Sequence, residues 1–391
     1  MMAPADLRPS LSRLERWLIE RNFKGFDPHD ALRSRIVRTL TFHNRLLGIA
    51  WVQFLRRSPL NFRRILQVEP GHNPKGMGLF LAGYLRRYKV TGDNSDRAQI
   101  QYFADWLRNS QSSGYSGACW GYNFDWPNRS FFAPAGTPTV VNTSFVAHAF
   151  LDLYEAFARA EDLDLARSAC EFIMRDLPRA TEPLGFCFSY TPIDRRRVHN
   201  ANMLAASLLA RVAAVTDDEE YRDAARRAVI FTVSRQNADG SWPYGVGGSE
   251  SWVDNFHTGF VLVSLLHYIR YTGEREFEGA LQAGYQFWKS ELFTAGGIPK
   301  FYRQQLYPID VHCVAQGVLT LLAFADRDKT AVERGLQLAR WATANLQDPK
   351  GYFHYQIGRY CRNRIPYIRW GQAWMFRALV ECCALQIRQR A

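Results

Sequence analysis

The chain lacks most of the features that mark specialised proteins. No stretch of its 391 residues approaches 18 uninterrupted apolar residues, which excludes a transmembrane helix of ordinary length. The opening MMAPADLRPSLSRLERW has no apolar core of the secretory kind, so a cytoplasmic location is expected. No low-complexity tract, Ser/Gly linker or run of like charge divides the chain. One large domain over residues 25–391 is therefore expected, with residues 1–24 as an extra N-terminal helix packed on it. Cysteine is sparse: the seven are odd in number and follow no framework spacing, as expected of reduced thiols. CxxC, HExxH, EF-hand, P-loop, dinucleotide and GxSxG signatures are all missing, and neither a cofactor nor a metal is expected. Asp310, His312 and Cys313 in "DVHC" are potential ligands, but three within four helical residues cannot all face one ion.

Basic residues are in excess. Lys plus Arg number 49 against 37 Asp plus Glu, a net charge of +12. Such a balance suits an anionic partner: an acidic or phosphorylated substrate, or peripheral contact with a membrane surface. The arginines are spread over many segments rather than gathered in one arm, which argues against nucleic acid.

Apolar residues recur at helical spacing through most of the chain, in two alternating kinds of helix. One kind is amphipathic with a charged back, over about 34–57, 96–109, 162–177, 217–235, 274–291 and 329–346. The other is apolar nearly all round, over about 76–91, 142–158, 199–215, 254–271, 310–325 and 369–386, and must be covered on several sides. Six such pairs describe an all-α (α/α)6 toroid, a ring of inner helices inside a ring of outer ones. In this reading 34–57 supplies the first outer helix and 7–22 an extra one. Gly- and aromatic-rich stretches ("GACWGYNFDW", "GFCFSYTPID", "DGSWPYG", "GGIPKFYRQQLYPID", "GYFHYQIGRY") precede inner helices and recur about every 55 residues, as short β-hairpins would.

The unusual polar residues crowd the starts of the inner helices, where free N–H groups and the helix dipole favour anions. Asp254, Asp310 and Asn142 read as N-caps, worth about 1 kcal/mol each. His257 and His312 follow their aspartates inside apolar helices, which capping does not explain. Paired carboxylates are the usual machinery of glycoside chemistry. Asp254 and Asp310 are the candidate acid and base, assisted by His257 and His312, with Asp125 as the next carboxylate. Aromatic faces beside amides and carboxylates hold sugar rings. Trp126, Tyr190, Trp252, Tyr302, Tyr307 and Trp370 are expected in that role, beside Asn142, Asp194, His199, Asn200, Asn255 and Gln372. Lys300, Arg303 and Arg369 are expected to meet a carboxylate or phosphate.

"CWGYNFDW", "GTPTVVNTSFVAHAFLD", "VHNANMLAASLLARV", "QNADGSWPYG", "WVDNFHTGF", "YPIDVHCVAQ" and "IPYIRWGQAWMF" together resemble a little-characterised family of toroid proteins. Its members are commonly labelled as having prenyltransferase or squalene-oxidase repeats and are associated with polysaccharide biosynthesis. "QNADGSW", Gln236 to Trp242, looks like the Q-x-x-x-G-x-W repeat of terpene cyclases and protein prenyltransferases, although the cyclases' DxDD acid and the prenyltransferases' zinc spacing are missing. The six-hairpin glycosidases, including unsaturated glucuronyl hydrolases, and the sugar epimerases of similar fold are the other relatives. The glucuronyl hydrolases use aspartates at the start of an inner helix, where Asp254 is similar in placement. The resemblance implies a carbohydrate-active enzyme working on an acidic or lipid-linked polysaccharide unit by glycosidase-, lyase- or epimerase-type chemistry. An isoprenoid enzyme and a non-catalytic glycan-binding module are the two other readings.

Overall fold

Helix ends follow the capping chemistry of the sequence. In the computed structural model, which describes residues 6–42, 44–127 and 132–388, fourteen α-helices are found among those residues. They are α1 (Arg8–Ile19), α2 (Arg35–Leu40), α3 (Arg45–Arg57), α4 (Pro74–Thr91), α5 (Ser95–Asn109), α6 (Val140–Phe157), α7 (Ala160–Asp176), α8 (His199–Thr216), α9 (Glu219–Val233), α10 (Asn255–Thr272), α11 (Glu278–Glu291), α12 (Val311–Ala323), α13 (Ala331–Asn345) and α14 (Ala373–Arg388). Asn73 caps α4 with Pro74 at its first position, and Gly92 and Gly273 close α4 and α10 in the left-handed conformation. Asp254 and Asp310 cap α10 and α12 as expected. Asn142 does not cap: Thr139 accepts the Asn142 N–H and starts α6 three residues earlier.

The two kinds of helix differ as the patterning requires. Inner α8 is buried at every position from His199 to Ala213, whereas outer α9 buries only a stripe through Tyr221, Ala224, Ala225, Ala228, Val229, Phe231 and Thr232. The backbone groups into two compact units. The first holds the described residues through Ser110, with Tyr122–Thr137 and Tyr307 onward; there α4, α14 and α12 pack in succession. The second holds Gln111–Gly121 and Pro138–Leu306, and there α6, α8 and α10 pack in succession. In the second unit Arg211 of α8 ties α6 to itself, donating to the His148 carbonyl at 3.1 Å and to Asp152 and Glu155 at 2.6 Å each.

Short antiparallel strands precede some inner helices. β1 (Trp126–Pro127) pairs with β2 (Phe132–Ala133), and β3 (Arg179–Thr181) with β4 (Phe186–Phe188). β5 (Ile309–Asp310), β6 (Gln356–Ile357) and β7 (Arg362–Asn363) form a three-stranded sheet whose register sets Asp310 opposite Gln356. The loop before α10 carries only isolated bridges, Val198 to Gly245 and Asp254 to Tyr302.

The glycines of these loops lie against outer helices. A Cβ on Gly117 would sit 1.9 Å from the Ser168 carbonyl of α7, on Gly185 2.4 Å from that of Arg227 in α9, and on Gly240 2.5 Å from that of Ala283 in α11. Gln236 locks this contact, its amide donating to the Gly240 carbonyl at 2.8 Å and the Ala280 carbonyl at 2.9 Å. The arrangement recurs at "QDPKGYF", which the sequence reading passed over. Gln347 donates to the carbonyls of Gly351 at 2.9 Å and Ser10 at 2.8 Å, and a Cβ on Gly351 would meet the Arg13 carbonyl at 2.2 Å.

Ser10 and Arg13 belong to α1. The helix read from the sequence as an addition thus stands beside α14 where outer helices stand elsewhere, and α2–α3 is the additional segment. Removing the Gln347 amide leaves two carbonyls unpaired, so Gln347→Ala should cost ~2 kcal/mol. Urea unfolding measures this, and a loss below ~0.5 kcal/mol would contradict the role given to this residue.

Candidate functional site

In the second unit, Asp254 caps α10 and also accepts from two side chains. An inner helix is covered on all sides, so its cap is covered too, and Asp254 is 2% exposed. Its Oδ1 accepts the His257 backbone N–H at 3.0 Å, which is the cap itself. Its Oδ2 accepts from His257 Nδ1 at 2.6 Å and from Trp252 Nε1 at 3.1 Å. The spacing i to i+3 at a helix start lets one carboxylate meet both the backbone and the side chain of the same residue. The short contact places the ring proton on Nδ1 and leaves Nε2 as the atom able to exchange a proton.

Tyr244 stacks on Trp252 at 4.5 Å between centroids and meets the His257 ring at 4.6 Å; Phe256 backs His257 at 3.9 Å. Trp252 and Tyr302 keep more than a third of their surface in solvent. Arg196, paired with Glu250, lies 5.8 Å from the Tyr244 ring.

Other residues expected here have different work. Asn255 donates to the Leu292 carbonyl and accepts from Trp288 Nε1, fastening α10 to α11. Asp194 accepts from the Thr191 backbone and hydroxyl and from the Arg196 N–H, shaping its own loop. Arg303 pairs with Glu291 and Asp239, and Lys300 lies partly covered in its loop. Tyr190 supports the start of α6 by accepting the Val140 N–H on its carbonyl. His199 contacts the Thr232 hydroxyl at 3.4 Å, and burial, aided by Arg235 and Arg197, pushes its pKa down to about 3. Both amide atoms of Asn142 and the side-chain carbonyl of Asn200 are buried without a protein hydrogen-bond partner among the described residues.

In the first unit, Asp310 is fully buried. Its Oδ1 accepts from the His312 N–H at 2.7 Å and Trp370 Nε1 at 3.1 Å, and its Oδ2 from Gln356 Nε2 at 2.6 Å. Burial raises its pKa, outweighing those donors and the Arg56 charge. His312 sits edge-on to Trp370 and stacked on Trp374, each at 4.8 Å. Arg369 is placed by the sequence among the residues expected to meet an anionic substrate group. It instead forms a bidentate pair with buried Asp27, at 2.6 and 2.7 Å, and stands 4.9 Å from the Tyr122 ring. Burial pushes Asp27 up, but Arg369 and His29 outweigh it and hold the carboxyl well below its usual range.

Burial, opposed by Asp27 and reinforced by Arg56 and Arg369, lowers His29 to about 4. Lys75, at the second position of α4, lies over the Trp374 ring at 5.0 Å; burial, with Arg369, brings its pKa well below that of a free lysine. Arg56 reaches from α3 to the Tyr355 hydroxyl at 3.3 Å and over Trp370. Asp125 accepts the Ala135 N–H at 2.8 Å, and Trp126 stands edge-on to Tyr122 at 5.7 Å. Gln372 is committed to both backbone groups of Phe353, and Tyr307 is 42% exposed.

Sequence reasoning missed Lys75, His29, Asp27, Arg56 and Gln356. "NPKG" carried a signal for the first: a lysine one place after a capped proline, opening a helix that is apolar all round. Among the described residues no three His, Cys, Asp or Glu side chains gather as metal ligands, and no helix is long and apolar enough to cross a membrane. All seven cysteines are free thiols, six of them buried.

No family description and no curated protein matches the sequence. Solved structures do match the fold. A GH76 α-mannanase from Bacteroides thetaiotaomicron superposes with a TM-score of 0.64 at 13% identity, over 82% of this chain and 88% of its own. A sugar epimerase from a ruminal bacterium gives 0.63 at 12%, over 83% and 90%, and an unsaturated glucuronyl hydrolase specific for heparin gives 0.60 at 12%, over 82% and 88%. The chain has their fold, an (α/α)6 toroid with short hairpins in the loops before inner helices.

Three histidines whose pKa burial lowers set an acid response. Free histidine takes up its proton near pH 6.5, whereas His199, His29 and His267 do so at about 3, 4 and 4. Between about pH 6.5 and 4 the unfolded chain therefore binds more protons, and stability falls as pH falls through that window. The urea midpoint should drop from pH 7 to 4.5, and drop less in His199→Phe. A midpoint unchanged or rising over that range would contradict the lowered values of these histidines.

Proposed function

We propose that the protein is a carbohydrate-active enzyme in which His257 moves a proton on a saccharide while Asp254 holds its ring and charge. The observation that carries this reading is the 2.6 Å contact between Asp254 Oδ2 and His257 Nδ1 beside the stacked pair Tyr244–Trp252. A neutral ring held this way accepts a proton at Nε2 from a sugar hydroxyl, an acidic C–H or an attacking water, and the buried carboxylate stabilises the imidazolium formed. The Trp252 face supplies the apolar surface that sugar C–H groups need.

Asp310 is proposed as a second functional carboxyl, raised by burial so that it can hold a proton. An acidic or lipid-linked polysaccharide unit, as in polysaccharide biosynthesis, is the proposed substrate class, in keeping with the net charge of +12. The solved structures of like fold support the sugar class through their own descriptions: an α-mannanase, a sugar epimerase and a heparin-specific glucuronyl hydrolase.

Asp254→Asn keeps a capping residue but removes the acceptor charge and allows the wrong tautomer. Turnover of acidic and neutral oligosaccharides should fall ~10²–10⁴-fold in this variant and in His257→Asn, with thermal midpoints close to that of the wild type. Trp252→Ala should raise KM more than it lowers kcat. Sugar binding without turnover in the wild type would instead indicate a glycan-binding module. A response to a prenyl diphosphate alone would overturn the sugar reading.

A further inference from the structure

The additional segment α2–α3 is unlike the rest of the surface. From Ala31 to Val68 the sequence has eight arginines and no aspartate or glutamate, although the arginines of the whole chain are widely spread. The same stretch is where the protein leaves large apolar groups in water. Of the seventeen large hydrophobic side chains exposed among the described residues, eight lie between Ile36 and Ile65. Phe42 is 80% exposed, Ile65 76% and Leu46 68%. The other nine are scattered from Ile19 to Tyr360, with Trp252 and Tyr302 of the candidate site among them.

This segment is not a loose tail. Ala31, Val52 and Leu55 form a core with Trp51, Phe62 and Leu66 packed against it. Arg63, fully buried, pairs with Asp30 at 2.7 Å and donates to the Asp27 carbonyl at 3.0 Å. Ser34 caps α2 and bonds to the Leu66 carbonyl, and Asn44 caps α3. A hairpin fastened so firmly on one side holds its exposed Leu, Ile and Phe in place on the other. Exposed Arg35, Arg38, Arg45, Arg57 and Arg64 are interleaved with them.

We propose that α2–α3 and the turn to Ile65 are a docking surface for an anionic phospholipid bilayer, with the apolar side chains inserted at the headgroup boundary and the arginines on lipid phosphates. Apolar groups alone would suit a protein partner, and arginines alone any polyanion. The two together, with every acidic residue excluded, are the composition of an interfacial element. Arg56 of α3 turns inward to Tyr355 and Trp370, so the helix presented to the bilayer also reaches the surroundings of Asp310.

Flotation of the full chain with vesicles tests this. Binding is expected to vesicles of 70% phosphatidylcholine and 30% phosphatidylglycerol, and to be much weaker with phosphatidylcholine alone. Arg35→Gln/Arg38→Gln/Arg57→Gln/Arg64→Gln should lose binding by about fivefold per arginine removed. Phe42→Ser/Leu46→Ser/Ile65→Ser should weaken it at least tenfold while the thermal midpoint holds. Binding unaffected by the serine variant would mean attachment by charge alone and would overturn insertion. Failure to bind either vesicle overturns the proposal. A concentration-dependent dimer that the serine variant abolishes would assign the surface to a second copy of the chain instead.

Discussion

An inner helix covered on every side must satisfy its first N–H groups with side chains that are themselves buried, and much of the molecule follows from that constraint. A buried cap in a helical protein is costly unless its remaining lone pairs are also met. Asp254 meets them with His257 and Trp252, and Asp310 with Trp370 and Gln356. The second atoms of these caps thereby recruit an imidazole, two indoles and an amide to the helix starts. Where no carboxylate stands, amides and hydroxyls do related work: Asn202 accepts the Phe188 N–H and Gln372 that of Phe353. The polar groups needed to end a buried helix are the same groups that chemistry on a sugar would use.

The first unit carries the constraint further, because its polar groups are charged as well as buried. Arg369 and Asp27 neutralise one another, and Arg63 and Asp30 do the same nearby. Loss of one partner from such a pair leaves an uncompensated charge in the interior, while the pair itself adds little net stability. Their effect is to position: Asp27 fixes Arg369 at the start of the last inner helix, and Arg63 fixes the hairpin that brings Arg56 toward Trp370. Lys75, shut away from water beside these cations, has its pKa brought well below that of a free lysine, and burial with the same cations lowers that of the partly covered His29 to about 4. Groups so perturbed are candidates for proton exchange rather than for salt bridging.

Much of this was legible in the sequence, and the exceptions have physical causes. The paired helices could be read because burial on one face or on all faces leaves different residue patterns. Asp254 and Asp310 could be read because capping is local. Thr139 was overlooked in favour of Asn142 because both are good caps and only the backbone decides between them. The place of α1 was missed because an outer helix at the end of a ring can come from anywhere in the chain; only the repetition of Gln236–Gly240 at Gln347–Gly351 betrays it. Arg369 could not be read as engaged, since its partner Asp27 lies 342 residues away. The density of arginine between Ala31 and Val68 was in plain view, yet a whole-chain tally conceals it.

In the proposed function the His257 ring carries a proton on Nδ1, against Asp254, and its Nε2 meets a saccharide. Nitrogen-15 spectra of histidine-labelled protein, recorded at neutral pH with and without added oligosaccharides, report both points at once. The prediction is a His257 resonance pattern with the proton on Nδ1, and a shift of Nε2 when an oligosaccharide is added. A ring protonated on Nε2 alone, or a His257 signal indifferent to every sugar while the protein binds one, would contradict it.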